Sequence, residues 1–497
     1  MAAMTLASAT TTARSLIQRL RDHLCARIDH QGRARSACGS RVLESVLTWR
    51  LLENDTGYPA ALATVRSYLR AAGARGDLTP VDRALLGLPG GQDPLPGFDH
   101  HTAGHKRLLM SAILHAAGVP GVIGPPPGVV ATGNLHTWKR AELTACRIIC
   151  AHAAGTAVDI DQLDALADLL RRPRIFEGNH LPHLLFLHAL RPYPAHQAAV
   201  RHGLDLLVAT QHADGGFSVA ESFDTWVSSI VATALTEAGT AREELTQTAT
   251  WLAACQAAGG GWSYTPQATQ TDMDTTYTAM VFLNDHDPAG YAAHLAAGHA
   301  YVRGLQNTDG GWPTYRRGAP SEPAMTGGAL AVLAQRPGDH AEQVVAGARW
   351  LAGTQKPDGT FERGWSLAEG NAIFRAVHGL CTARDRLPLP PSVSDAVDHA
   401  LDRAADHLER THNRDGGWGH HAGRASDPVS TGYALAALGL LRRMRPVPSA
   451  LAYLAAHQRP DGGFDAPADT AAPRPIPVDV PVLAPAYVLR GLAHCGR

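Results

Sequence analysis

With 497 residues, 45% of them hydrophobic and 18% charged, the chain is too long for one ordinary core and has a globular composition, which predicts two domains. Its formal net charge of −1 supplies no field that would draw it to nucleic acid or an anionic membrane. No run approaches the roughly 18 apolar residues of a transmembrane segment, and seven cysteines without a C-x-x-C pair fit a reduced, cytoplasmic setting.

The first segment, "MAAMTLASATTTARSLIQRLRDHL", lacks the continuous apolar stretch of a secretory signal and predicts a helix over about 14–28. Residues 31–195 read as helices broken by Pro/Gly-rich stretches, "LPGGQDPLPG" at 88–97 and "GPPPGVV" at 124–130. His100, His101 and His105 in "DHHTAGH" lack any zinc-site spacing and read as surface or capping residues. Cys146 and Cys150, one helical turn apart, read as small core residues. Lys106 with Arg107 and Lys139 with Arg140 open apolar helices, with solvated surface as the plain reading. Asp159, Asp161 and Asp164 in "DIDQLD" open another, an ordinary place for carboxylates.

From residue 196 onward a phrase recurs: "LLVATQHADGGFS", "WLAACQAAGGGWSY", "YVRGLQNTDGGWPTY", "WLAGTQKPDGTFER", "LERTHNRDGGWGHH" and "YLAAHQRPDGGFD". Its lead position holds Gln211, Gln256, Gln306, Gln355, His412 and Gln458. Each phrase reads as an apolar-periodic helix, a D-G-G turn supplying positive φ, and an aromatic that fixes the turn. A second Ala/Leu/Val-rich helix follows every turn. Six such pairs predict about twelve helices in two concentric rings, closed as an α/α barrel. The Gln and Trp residues are architecture on this reading.

The second helices align on a closing leucine: Leu235, Leu283, Leu333, Leu380, Leu438 and Leu492. Eleven positions earlier stand Asp224, Asp272, Glu322, Glu369, Asp427 and Pro481, where a carboxylate can cap a helix. Nine positions earlier stand Trp226, Asp274, Ala324, Asn371, Val429 and Leu483. Asp274 is the only ionisable member of that column, which predicts a lone acid in an apolar chamber. Desolvation would keep its proton on, while the helix start and the hydroxyls of Thr275 and Thr276 would stabilise the anion. Such a group suits protonation of an alkene. Asn371 is placed to hydrogen-bond Asp274, to hold a water, or simply to pack.

The run "DMDTT" at 272–276, set among these repeats, resembles class II terpene cyclases, relatives of squalene–hopene cyclase. The resemblance implies an all-α fold of two α/α-barrel-type domains: a γ domain over 31–195 and a β barrel over 196–497, with residues 1–30 packing on the barrel. It makes Asp274 the proton donor within the run that holds Asp272 and Thr275; Asn371 joins them as a candidate from the column alone. Thr275 replaces the usual third Asp, a variant seen in cyclases of drimane sesquiterpene diphosphates. The expected substrate is therefore a prenyl diphosphate, farnesyl in first place and geranylgeranyl, giving a copalyl-type product, in second. By helix register, Trp226, Phe374, Tyr433 and Tyr487 would supply cation–π contacts. Lys106, Lys139, Arg316 and Arg317 are the cationic candidates for the diphosphate, and Asp159, Asp161 and Asp164 for Mg²⁺. No D-D-x-x-D occurs, so the diphosphate should survive in the product. A monomer or homodimer is expected. A protein prenyltransferase subunit would need a zinc triad, for which only Cys381 beside His378 offers a start. A non-catalytic toroid module is the reading from another class.

Overall fold

The computed structural model describes residues 6–36, 38–93, 95, 100, 102–121 and 135–496, so His101 and the break at 124–130 lie outside the described residues. Twenty α-helices follow one another, with a two-residue strand pair, Thr470–Ala471 and Pro477–Val478, before the last. In chain order they are α1 (Leu6–Cys25), α2 (Val42–Leu52), α3 (Pro59–Gly73), α4 (Pro80–Leu85), α5 (Ala103–Ala116), α6 (Thr137–Ala153), α7 (Ile160–Leu170), α8 (His180–Leu190), α9 (Gln197–Val208) and α10 (Asp224–Glu237). Then come α11 (Arg242–Ala254), α12 (Met273–His286), α13 (Ala292–Leu305), α14 (Pro323–Leu333), α15 (Pro337–Gly353), α16 (Glu369–Arg386), α17 (Pro391–Thr411), α18 (Pro428–Leu440), α19 (Val447–His457) and α20 (Leu483–Cys495).

Two compact units result. The first comprises residues 1–37, 223–470 and 479–497; the second comprises 38–222 and 471–478. The divisions thus fall at 37/38 and 222/223, and a short piece near the C-terminus belongs to the second unit.

In the first unit, α10, α12, α14, α16, α18 and α20 form an inner ring that closes where α20 packs on α10. Most of their residues are buried, Ala, Leu, Val and Gly chief among them, as suits helices enclosed by an outer ring. The outer ring holds α11, α13, α15, α17 and α19, and its sixth member is α1, which packs against α19, α20 and α10. This corrects the expectation that all six repeated phrases build the barrel. The first phrase lies in the second unit: α9 packs on α7 and α8, and Gln211 Nε2 donates to the Ala61 carbonyl of α3 at 3.2 Å.

The repeated residues act as the phrase suggests. Gln256 Nε2 donates to the Gly260 carbonyl at 2.7 Å and to His294 on the next outer helix at 2.9 Å. Gln306 and Gln355 repeat the arrangement with Gln343 and Ala400. Gly260, at φ 88°, lies so close to the Ala297 carbonyl that a Cβ would collide with it. Trp262, Trp312 and Trp418 each donate their indole N–H to a carbonyl of their own outer helix. Glycines also draw inner helices together: a Cβ on Gly379 would meet the Gly327 backbone, and one on Gly491 the Gly432 carbonyl. The α14–α16 and α18–α20 pairs are therefore tight, and larger side chains are left to fill the middle.

The second unit has its own core of Leu, Val, Ile and Phe side chains from α2 to α9, with Ile476 from the C-terminal piece. All seven cysteines are free thiols, Cys146 buried and Cys150 partly so. Among the described residues no helix is long and apolar enough to cross a membrane.

Candidate active site

Asp272 is the N-cap of α12. Its Oδ1 accepts the Thr275 N–H at 2.7 Å and its Oδ2 the Thr275 hydroxyl at 3.0 Å. The Thr276 hydroxyl donates to the Asp272 carbonyl at 2.6 Å and accepts the Trp262 N–H at 2.9 Å. All four bonds recur at the start of α18. There Ser430 donates twice to Asp427, both at 2.8 Å, while Thr431 joins the Asp427 carbonyl and the Trp418 N–H. Asp272, Thr275 and Thr276 are thus a capping device used twice, and the fully buried Thr276 spends its hydroxyl on the Asp272 carbonyl and the Trp262 N–H. Burial, reinforced by the charge of Asp274, raises the Asp272 carboxyl to about 7 against the Thr275 donors.

The other acids of that column do not cap. Asp224 lies 3.5 Å from Arg35, Glu322 accepts the Thr314 hydroxyl, and Glu369 accepts the Ala422 N–H and contacts His407. Glutamate's extra methylene carries its carboxylate past the first turn into the loops.

Between the two duplicated caps one lumen-side position differs in charge: Asp274 stands where α18 has Val429. The chamber is not apolar around it, however. Arg375 Nη1 donates to Asp274 Oδ1 at 2.5 Å, with side-chain exposures of 3% and 14%. Helix α14 separates α12 from α16 in the ring, so this ion pair spans the lumen. Its guanidinium also lies 5.2 Å over the Tyr277 ring. Burial opposes the Arg375 charge, yet Asp274, Tyr487 and Tyr277 together raise its pKa above the usual value. No described residue hydrogen-bonds Asp274 Oδ2, which leaves that oxygen to carry a transferable proton.

Sequence reasoning missed Arg375, although the signal was present. Five positions before each closing leucine stand Ile230, Thr278, Gly328, Arg375, Tyr433 and Tyr487. Arg375 is the only charged member of this second layer, one turn deeper than the first. Further along the ring Arg490 makes two 2.8 Å bonds to Glu237 and lies 5.0 Å over the Phe374 ring. Phe374 stacks on His378 at 5.9 Å, and Tyr433 and Tyr487 meet at 4.4 Å. Phe374, Tyr433 and Tyr487 are thus brought into one aromatic cluster. Trp226 stands partly buried at the start of α10 beside Phe223, its indole N–H without a partner among the described residues. Asn371 does not bond Asp274; its amide lies instead at the Tyr433 hydroxyl.

The ionic candidates separate. Arg316 and Arg317 are exposed in the loop before α14, within the first unit. In the second unit Lys106 and Lys139 are buried rather than solvated. Lys139 donates to Glu142 at 2.6 Å, while burial and the charges of Lys139 and Arg474 push the Lys106 ammonium well below its usual pKa. Arg107 and Arg140 are exposed. Asp159 caps α7 through the Asp161 N–H, and Asp159, Asp161 and Asp164 all face solvent without converging. Among the described residues no group of three or more His, Cys, Asp or Glu is arranged to hold a metal, so this trio does not fit a resident Mg²⁺. Cys381 likewise belongs to no such group.

The prenyltransferase alpha-alpha toroid domain matches residues 184–362 and 299–466. A drimenyl diphosphate synthase of Streptantibioticus cattleyicolor is 37% identical, over 98% of this chain and 96% of that one. A drimenyl diphosphate synthase of Streptomyces showdoensis is 35% identical over the same shares. A squalene–hopene cyclase of Bradyrhizobium diazoefficiens is 27% identical over 33% of this chain and 27% of its own length. Among solved structures, the ent-copalyl diphosphate synthase from Streptomyces platensis superposes with a TM-score of 0.54, at 15% identity over 99% of both chains. That likeness is one of fold.

Proposed function

We infer the reaction from the family: the chain belongs to the drimenyl diphosphate synthases among the class II terpene cyclases, and it converts farnesyl diphosphate to drimenyl diphosphate. The observation that carries the assignment of roles is the one difference in charge between the cap of α12 and its duplicate on α18, Asp274 for Val429. Asp274 Oδ2 delivers its proton to the terminal alkene of the substrate. As the proton leaves, the carboxylate is already beside Arg375, which compensates its negative charge. The tertiary cation closes two rings, and loss of a proton gives the product alkene. The faces of Phe374, Tyr433, Tyr487 and Trp226 favour positive charge in transit.

Arg316 and Arg317, exposed in the first unit, are the proposed cationic contacts for the diphosphate; Lys106, buried with a depressed pKa, and Lys139, paired with Glu142, are set aside. Mg²⁺ is proposed to arrive as the counter-ion of that group, and no step is routed through it. With no D-D-x-x-D in the sequence, the diphosphate is retained.

The test offers purified protein farnesyl and geranylgeranyl diphosphates with Mg²⁺, then dephosphorylates the extract before mass analysis. A bicyclic fifteen-carbon alcohol, with kcat/KM higher for farnesyl, is expected. The reverse ratio would make the enzyme a copalyl-type cyclase. The relatives' products, together with the tight α14–α16 and α18–α20 pairs, favour the shorter chain.

A further inference from the structure

The acid's counterpart, the group that takes the final proton, has no assigned residue. Three observations converge on Asp469, in the loop between α19 and α20. It is 5% exposed, it lies outside the repeat pattern, and both of its carboxylate oxygens accept hydrogen bonds. Oδ1 accepts the Ser366 hydroxyl at 2.6 Å and the Ala368 N–H at 3.0 Å; Oδ2 accepts the Tyr433 hydroxyl at 2.8 Å. Asp469 also lines a cavity of about 200 Å³ together with Val429 and Leu483, two members of the first lumen layer.

Position completes the case. In the ring order α10, α12, α14, α16, α18, α20, the helix opposite α12 is α18. Tyr433 is six residues beyond its cap, Asp274 two beyond its own, a difference of about 6 Å along the axis at the standard rise. After two ring closures the cation is no longer at the protonated end of the substrate but two rings away. An acceptor across the lumen, its hydroxyl held between Asn371 and Asp469, is where that charge arrives.

We propose that Tyr433 and Asp469 form the proton-accepting relay that ends cyclisation, Tyr433 as the catalytic residue and Asp469 as the group that positions it and takes its proton. The inference rests on the cyclase reading above. A C–H bond beside the cationic carbon breaks and its electron pair becomes the C=C bond. The proton goes to Tyr433 Oη while the phenolic proton passes to Asp469 Oδ2. Asp469 then releases it to solvent through the cavity it lines, and solvent reloads Asp274, so one proton enters and one leaves. Burial, with Asp469 next, pushes the Tyr433 phenol well above its usual pKa, so a free phenolate is not the base. The two transfers must be concerted, and Asp469 supplies the destination.

Tyr433→Phe removes one hydroxyl and keeps the ring against Tyr487. With farnesyl diphosphate, Tyr433→Phe should still consume substrate, because Asp274 is untouched, with KM changed less than twofold. Formation of the wild-type alkene should fall at least tenfold, replaced by water-captured alcohol or other alkene isomers. Asp469→Asn should give the same shift in products. Wild-type alkene as the sole product of Tyr433→Phe, at any rate of consumption, would overturn the relay. If wild-type protein itself leaves farnesyl diphosphate unchanged, the cyclase reading fails instead, and the two failures are distinct.

Discussion

Replacing Asp274 by Asn should abolish turnover and also destabilise the protein, although the side chains are nearly isosteric. The reason is Arg375, whose side chain is 3% exposed and whose charge Asp274 neutralises in its ionised form, the state left after each proton delivery. Removing one member of a buried pair costs about 3–5 kcal/mol because the other charge is left without compensation. The Asn carbonyl still accepts one hydrogen bond from the guanidinium, worth about 1.5–3 kcal/mol. The Tyr277 face remains beneath it. A net loss of about 2 kcal/mol is expected for Asp274→Asn. Arg375→Met should cost less, since a carboxyl without its partner can take up a proton. The double variant Asp274→Asn/Arg375→Met holds neither charge and should recover most of the loss, a coupling of about 1–2 kcal/mol. Activity follows another order: none in either variant lacking Asp274, and a rate reduced about 10–100-fold in Arg375→Met, which keeps the donor but loses its stabilised anion. Urea unfolding near neutral pH, followed by tryptophan fluorescence, reads the first set; product analysis with farnesyl diphosphate reads the second. If the two single losses simply add in the double variant, Asp274 and Arg375 do not act as a charge pair and the account of the compensated conjugate base falls with them.

The duplicated cap gives an internal control: Asp272→Asn and Asp427→Asn should each cost about 1 kcal/mol, and Asp272→Asn should keep measurable turnover. Complete inactivity of Asp272→Asn at the stability of Asp427→Asn would place chemistry at Asp272. Because the folded Asp272 carboxyl is raised to about 7, above its unfolded value near 3.9, the folded state binds the extra proton between them. Its contribution to stability therefore falls as pH rises from about 4 to 7, and the deficit of Asp272→Asn should shrink between pH 5 and pH 8 in urea titrations. Lys106, buried with its pKa depressed, contributes in the opposite sense: stability rises with pH from its folded value toward about 10.4. Lys106→Met should then stabilise by about 1–2 kcal/mol at pH 7, less at pH 10, and a destabilised variant at pH 7 would refute the burial argument. Excess EDTA should stop turnover or raise KM without lowering the melting temperature, and a variant with Asp159, Asp161 and Asp164 all changed to Asn should keep its Mg²⁺ dependence; loss of that dependence would return the metal to α7.

What the sequence disclosed about the site depended on repetition. Stacking the inner helices compares residues that the ring places in equivalent positions, so Asp274 stood out against five neighbours that share its environment. The same comparison one turn deeper isolates Arg375, and its omission left the chamber looking apolar. Repetition also separates what one motif runs together: Asp427, Ser430 and Thr431 reproduce the bonds of Asp272, Thr275 and Thr276, so in "DMDTT" only the central Asp is unaccounted for by architecture. Thr275 occupies a place where Ser430 does the same work, which explains its hydroxyl without reference to substrate length. Where repetition ends, pattern reading ends too. The first Gln-containing phrase looks like its five successors, yet its turn rests on α3, because the local turn chemistry is indifferent to which helix it packs against. Asp469 sits in a loop with no counterpart, and only the fold brings it to Tyr433. The two ends of the reaction differ in the same way: the acid stands on a repeated frame and could be found by comparison, whereas the base we assign depends on a contact made once, between residues 36 positions apart.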